Sequence, residues 1–249
     1  MDHNAAPPTA VTRLTRRDPA VQPPALAPTY RSSRLRAPTH PPLRIAPTLT
    51  ETTGPVFDGD LVADADADLL TNHAAPGETA VGERLIVHGR LTDQDGRGLR
   101  GMLIEVWQAN AGGRYRHHRD GYRAPLDPNF GGCGRVITGP DGAYAIRTVR
   151  PGAYPWPNGG NDWRPSHIHF SVFGTAFGQR LITQMYFEGD PLIARCPILQ
   201  AIPDAAAIDR LTARMDMART VAMDARAYRF DIVLRGRSQT PFETRPEGL

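Results

Sequence analysis

The sequence predicts an all-β protein: an antiparallel β-sandwich with long loops, an extended N-terminal arm and one covering helix. Three observations lead there. Gly and Pro number 24 each among 249 residues, too many helix breakers for a helical bundle. From Glu83 onward, short runs that alternate apolar and polar residues recur between Gly, Pro and Asp turns. A content of 40% hydrophobic and 22% charged residues is that of an ordinary globular chain and excludes a coiled coil or a wholly disordered polymer.

The elements follow in order. Residues 1–50 are rich in Pro and Arg and read as an arm that lies extended on a partner at least from Pro28, with Tyr30, Leu35, Leu43 and Ile45 as the side chains to bury. A domain spanning 51–240 follows, then a tail, 241–249. In DGDLVADADADLL, Asp64, Asp66 and Asp68 imitate the start of a calcium loop, but Leu69 stands where Gly is needed and Ala75 where Glu is needed. A solvated turn is the reading. ERLIVHGRL and MLIEVWQ are strands on either side of DQDG. Val136–Thr138 and Tyr144–Thr148 flank GPDG as a hairpin. HIHFSVF, LITQMYF and YRFDIVL are three further strands. Ile208, Leu211 and Met215 recur at helical spacing and predict a helix between Pro203 and Met217 that covers the sandwich.

Charge and composition exclude several functions. The 29 basic residues are all Arg and are interspersed with 26 acidic ones for a net charge of +3, so no basic track for nucleic acid exists. No apolar run approaches the roughly 20 residues of a membrane span. MDHNAAPPTAVTRLTRR has no apolar signal core. Two cysteines, Cys133 and Cys196, make no disulfide framework, and a reducing, cytoplasmic setting is expected.

The sharpest local signal is RPSHIHF. His167 and His169, two apart in a strand, leave the same face, where they are either a metal-binding pair or two hydrogen-bonded structural histidines. WQANAGGRYRHH places Tyr115 after a strand, and PGAYPWPNGGNDWRP places Tyr154 before the histidines. Each tyrosine alone reads as a loop anchor. His117 and His118, together with His3, His40, His73 and His88, carry no such pattern.

Taken together, WQANAGGRYRH, APLDPNFGG, GAYPW, NDWRPSHIHF, LITQMYFEGDPLI and AYRFDIVLRG, with TETTGPVF upstream, resemble the intradiol ring-cleaving dioxygenases from about Glu51 to Arg235. The likeness is greatest to the iron-bearing β chains of the members that cleave protocatechuate. The resemblance implies one non-haem Fe(III) per chain, held by Tyr115, Tyr154, His167 and His169. It implies Arg164 beside the bound ring, Trp156 and Ile198 lining the pocket, Gln184 near the O2 site, and Tyr30 brought in by the arm. It also implies a homologous α subunit as partner in a hetero-oligomer, with a small aromatic substrate and O2. The product would be 3-carboxy-cis,cis-muconate, on the β-ketoadipate route of aromatic degradation. A hard trivalent cation suits phenolate oxygen. Two phenolates and a hydroxide cancel its charge, and a catechol that loses both protons can replace hydroxide and one tyrosinate, here Tyr154, without unbalancing a shielded site. One departure stands out: Pro157 follows the tryptophan where related β chains often carry Arg, which removes a cation from the pocket mouth. The alternatives are intradiol cleavage of catechol or hydroxyquinol, a non-catalytic partner subunit, and a sandwich module without chemistry.

Overall fold

Alternation of buried and exposed side chains shapes the strands. In the computed structural model, which describes residues 26–36, 61–173, 180–234 and 236–241, the described strands in chain order are β1 Arg84–Thr92, β2 Leu103–Trp107, β3 Cys133–Ile137, β4 Ala143–Val149, β5 Tyr154–Trp156, β6 Asp162–Arg164, β7 His167–Phe173, β8 Arg180–Phe187, β9 Thr212–Met215, β10 Ala225–Arg229 and β11 Ile232–Val233. On β4, Tyr144, Ile146 and Thr148 face inward while Ala143, Ala145 and Arg147 face water, the period of two that one buried face demands.

The main ladder runs β11-β1-β10-β9-β8-β7-β2-β3, with β4 on the other side of β1; β5 and β6 form a separate hairpin. The ladder doubles over itself. Strand β9 joins the layers, pairing with β10 through Tyr228↔Met215 and with β8 through Tyr186↔Thr212. Leu85 and Val87 of β1 therefore share a core with Ile104 of β2 and with Ile168 and Phe170 of β7. Rings meet across the layers: Phe170 lies 5.2 Å from Phe230 and 6.1 Å from Tyr144, centroid to centroid. Most pairs are antiparallel, while β1–β10, β1–β11 and β8–β9 are parallel.

Three local expectations need correction. The segments around GPDG do not form a hairpin: β3 pairs with β2 and β4 with β1. Backbone groups beside the turn are already engaged in opposite layers, since Thr138 N–H donates to Met102 C=O at 3.0 Å and Leu91 N–H to Gly142 C=O at 2.8 Å. The turn thus carries the chain between layers. The helix expected from Pro203 to Met217 is a single turn, Ala205–Asp209, capped by Asp204, whose Oδ1 accepts the Ala206 N–H at 3.0 Å. Beyond it the chain is strand β9. Its pairing with β8 and β10 decides for strand: Leu211 and Ala213 are buried while Met215 is exposed, so Met215 does not join the apolar stripe that Ile208, Leu211 and Met215 had suggested. The arm is not extended after Tyr30: Arg31–Arg36 is a short helix, α1. It buries Ser33 and leaves Leu35 92% exposed, because six residues can present only one narrow face to the surface beneath.

The helical turns Pro197–Gln200 and Ala205–Asp209 sit over a second, smaller core of Tyr186, Cys196, Ile198, Leu199, Ile202, Ala207 and Leu211, against which Tyr30 and Trp156 also pack. Asp64–Ala67 is a 3-10 turn with Asp68 as its C-cap, and Asp66 pairs with Arg135 at 3.1 Å. Residues 1–25 and 37–60, with Leu43, Ile45, His3, His40 and the TETTGPVF block, lie outside the described residues, as do the arm's boundary at 50 and the tail 242–249. Among the described residues, no helix is long and apolar enough to cross a membrane.

Candidate metal centre and active site

Strand β7 is central, between β2 and β8. Its even-numbered side chains, Ile168 and Phe170, are fully buried in the core. His167 and His169 therefore project from the opposite face. The register sets their neighbours: His167 lies opposite Tyr186, and His169 opposite Gln184 on one side and Trp107 on the other. Trp107 stacks on His169 with rings 4.7 Å apart and 3° from parallel, which fixes the plane of that imidazole.

Two loops bring the tyrosines to this face. After β2, Asn110 folds the chain back: its Oδ1 accepts the N–H groups of Gly112 at 2.9 Å and Arg114 at 3.0 Å. Tyr115 N–H then donates to Asp120 Oδ2 at 2.7 Å. The second loop, Pro151–Ala153, lies directly against the first. Gly152 N–H donates to Asn110 C=O at 2.9 Å, and a Cβ on Gly152 would sit 2.5 Å from Ala111 C=O. Gly113 has φ +83°, and a Cβ there would overlap Ala153 C=O. Glycine at these positions lets two backbones touch, and that contact sets the spacing of Tyr115 and Tyr154. Gly113→Ala is expected to cost about 1–2 kcal/mol or more, from the left-handed backbone and the overlap together, as read by chemical denaturation.

The four side chains converge. The Tyr115 and Tyr154 hydroxyls lie 3.4 and 3.5 Å from His167 Nε2, the two tyrosine rings meet edge to face at 5.6 Å, and the His167 and His169 rings are 5.0 Å apart. These oxygen–nitrogen distances are long for hydrogen bonds and suit donors that share one small cation. His167 Nδ1 is 2.6 Å from Pro165 C=O. That contact is favourable only with the proton on Nδ1, so the Nε2 lone pair faces the tyrosines. Burial, then the nearby Arg164 and His169, push the His167 pKa well down against the opposing Pro165 carbonyl, which keeps the ring neutral and able to bind a metal. Among the described residues, no three His, Cys, Asp or Glu side chains come together as a metal cluster. A metal held here must draw on phenol oxygen as well as imidazole, a donor set that suits a hard, highly charged ion.

Arg164 closes one side. The β5–β6 register places it opposite Tyr154, and it is 4% exposed. Its guanidinium donates to Gln184 Oε1 and, at 3.1 Å, to Tyr186 Oη, and Tyr186 in turn donates to Gln184 Oε1 at 2.8 Å. Burial opposes its charge, but Tyr186, Cys196, Tyr154 and Tyr115 outweigh burial and raise its pKa further. It lies 5.5 Å from the Trp156 ring, and Trp156 meets Tyr30 at 5.0 Å. Ile198 is buried in the adjoining core. The structure thus brings together Tyr115, Tyr154, His167, His169, Arg164 and Gln184, with Trp156, Tyr30 and Ile198 beside them. Pro157 is exposed at the turn beyond Trp156, and His117 and His118 are exposed with their rings on each other at 4.4 Å. Sequence reasoning missed Trp107 and Tyr186. Tyr186 was signalled by its spacing of two from Gln184, and Trp107 by its place at the end of an alternating strand.

Comparisons with known proteins agree with this architecture. Residues 52–236 match the family model described as Dioxygenase, and residues 15–48 the model for the protocatechuate 3,4-dioxygenase β subunit N terminal. The chain is 50% identical over 232 residues, 93% of this chain and 98% of the relative, to the protocatechuate 3,4-dioxygenase β chain of Burkholderia cepacia. It is 31% identical over 210 residues, 81% of this chain and 98% of the relative, to the α chain from Pseudomonas putida. Among solved structures, 3-chlorocatechol 1,2-dioxygenase from Rhodococcus opacus aligns with a TM-score of 0.53 at 22% identity, over 69% of this chain and 65% of that one, a likeness of fold. The chain belongs to the intradiol ring-cleaving dioxygenase family, in its protocatechuate 3,4-dioxygenase β-chain branch.

Proposed function

We propose that this chain is the iron-bearing subunit of a protocatechuate 3,4-dioxygenase, opening the ring of protocatechuate between its two hydroxylated carbons with O2 to give 3-carboxy-cis,cis-muconate, a step of the β-ketoadipate route. The observation that carries the reading is the convergence of the Tyr115 and Tyr154 hydroxyls on the Nε2 of a neutral His167, with His169 alongside and a buried Arg164 at the edge. Tyr115, Tyr154, His167 and His169 would hold Fe(III), which when bound supplies the Lewis acidity that makes a catechol give up its protons and react with O2. Tyr154 would be the ligand whose phenolate oxygen can take up one of those protons. Tyr115 would remain a holding ligand. Arg164, held by Gln184 and Tyr186, presents a fixed cation to the negative charge that builds on the ring. Trp156 and Ile198, with Tyr30, offer apolar and aromatic surface to a planar substrate. The reading extends to an α subunit homologous to this chain, and to the reducing cytoplasm, where an exposed Cys133 and a buried Cys196 remain thiols.

Two tyrosinates on Fe(III) give a ligand-to-metal charge-transfer band, so the protein purified with its α partner is expected to be red-brown, to carry about one iron per chain, and to consume O2 with protocatechuate faster than with catechol or hydroxyquinol. Metal analysis, the visible spectrum and an oxygen electrode check this. A colourless protein that stays colourless and inactive after Fe(III) is added would sink the reading.

A further inference from the structure

One side chain of the turn between β5 and β6 points inward. Asn158 is 2% exposed. Its Oδ1 accepts the Arg31 N–H at 2.6 Å, and its Nδ2 donates to Thr29 C=O at 2.9 Å and to Asp162 Oδ2 at 2.8 Å. The partners come from two separate places. Asp162 opens β6, two residues before Arg164, while Thr29 and Arg31 flank Tyr30 in the N-terminal segment.

The described part of that segment is short. Helix α1 is six residues long, well below the length that is stable alone in water, and its first N–H groups have no acceptor within the helix. Asn158 supplies one from 127 positions away, and Ser33 Oγ accepts the Ala27 N–H at 2.9 Å just before the helix. Between the two residues that Asn158 grips, the Tyr30 ring lies on Trp156, and Trp156 faces the Arg164 guanidinium. A continuous path of contacts therefore leads from the Asn158 amide through Tyr30 to the edge of the metal centre.

We propose that Asn158 is a positioning residue of this active site: its amide locks the N-terminal segment to the β5–β6 turn and so sets Tyr30 on Trp156 beside Arg164. The proposal rests on the reading that Trp156 and Arg164 face the substrate. An amide is required because both bonds from Nδ2 go to acceptors. In Asn158→Asp a carboxylate oxygen meets Thr29 C=O and the Asp162 carboxylate, so two bonds become repulsions while the acceptor for Arg31 and the side-chain volume are kept.

The test uses the assembled, iron-loaded enzyme and the variants Asn158→Asp, Asn158→Ala, Tyr30→Ala and the double variant Tyr30→Ala with Asn158→Asp. Hydrogen exchange at residues 26–36 is expected to quicken in both Asn158 variants. The KM for protocatechuate is expected to rise about tenfold, the loss of one to two buried hydrogen bonds, while iron content and the visible band hold. In the Tyr30→Ala background, Asn158→Asp should raise KM no further. Unchanged exchange, or a KM effect that adds in full to that of Tyr30→Ala, or lost thermal stability with KM intact, would each overturn the proposal. If Asn158→Ala does not fold, the isosteric Asp variant decides by the same readouts. A parent enzyme inactive on every catechol would defeat the substrate reading instead, and the exchange result would still judge Asn158.

Discussion

His167→Ala is expected to strip the protein of iron and colour and to reduce turnover by more than about a thousandfold. His167 is the hub of the site: its Nε2 faces both tyrosine hydroxyls, and its Nδ1–H is committed to Pro165 C=O. Loss of groups that merely orient metal ligands already costs on the order of 10–100-fold, so loss of a ligand costs more. The fold should survive, because Ile168 and Phe170 on the other face of β7 carry the core packing. Iron per chain, the visible spectrum and far-UV circular dichroism test this together. His117→Ala is the control, expected to keep colour and turnover, since the His117 side chain is exposed, its ring lies against that of His118, and the carbonyl that accepts the Asp120 N–H is kept in the variant. A His167→Ala protein with full iron and parental turnover would remove the basis for the proposed ligand set.

Arg164→Ala is expected to keep its iron and resting spectrum and to lose about 10²–10³ in rate, by analogy with removal of a preorganised oxyanion donor. Arg164 is not among the converging donors, but its charge is buried and clamped by Gln184 and Tyr186, so it needs no reorganisation as negative charge grows on the ring. Mixing enzyme and protocatechuate without O2, and then with it, separates the steps in stopped flow. The loss belongs to the second mixing. Reaction with O2 at the parental rate once substrate is bound would rule out this role. Part of the effect will come from Gln184 and Tyr186, whose oxygens lose a donor, and Arg164→Lys bounds that part because it restores charge without the planar fork.

What the sequence disclosed and what it hid divide along contact range. Strands β1 and β4 were legible because one face of each is buried, and β7 because apolar Ile168, Phe170 and Val172 alternate with polar His167, His169 and Ser171, which writes a period of two into the residues themselves. The placement of His167 and His169 on one face followed from the same rule. Pairing did not follow. GPDG has every mark of a hairpin turn, yet the bonds that separate β3 from β4 go to Met102 and Leu91, which local pattern cannot name. The short run from Ile208 to Met215 fits two periods at once, and only the edges of β8 and β10 decide for strand. Tyr186 and Asn158 were overlooked for the same reason. Their significance lies in partners on other elements, Arg164 in one case and a segment 127 positions away in the other.

The order in which the strands pair bears on how the molecule comes into being. Strand β1 takes as its parallel neighbour β10, joining Arg84 to Ala225, and the two layers are closed by β9, which precedes β10 by only a short link. A chain emerging from the ribosome has released Tyr115, Tyr154, His167 and His169 well before either closing strand. Until β9 and β10 arrive, one edge of β1 offers unpaired amides, and the inner faces of both layers lack their cover. Such late, long-range closure belongs to the slow end of folding rates and leaves a window for aggregation. The residues of the centre are thus made long before the centre is, and a nascent chain stopped short of Ala225 would possess the chemistry without the place to perform it.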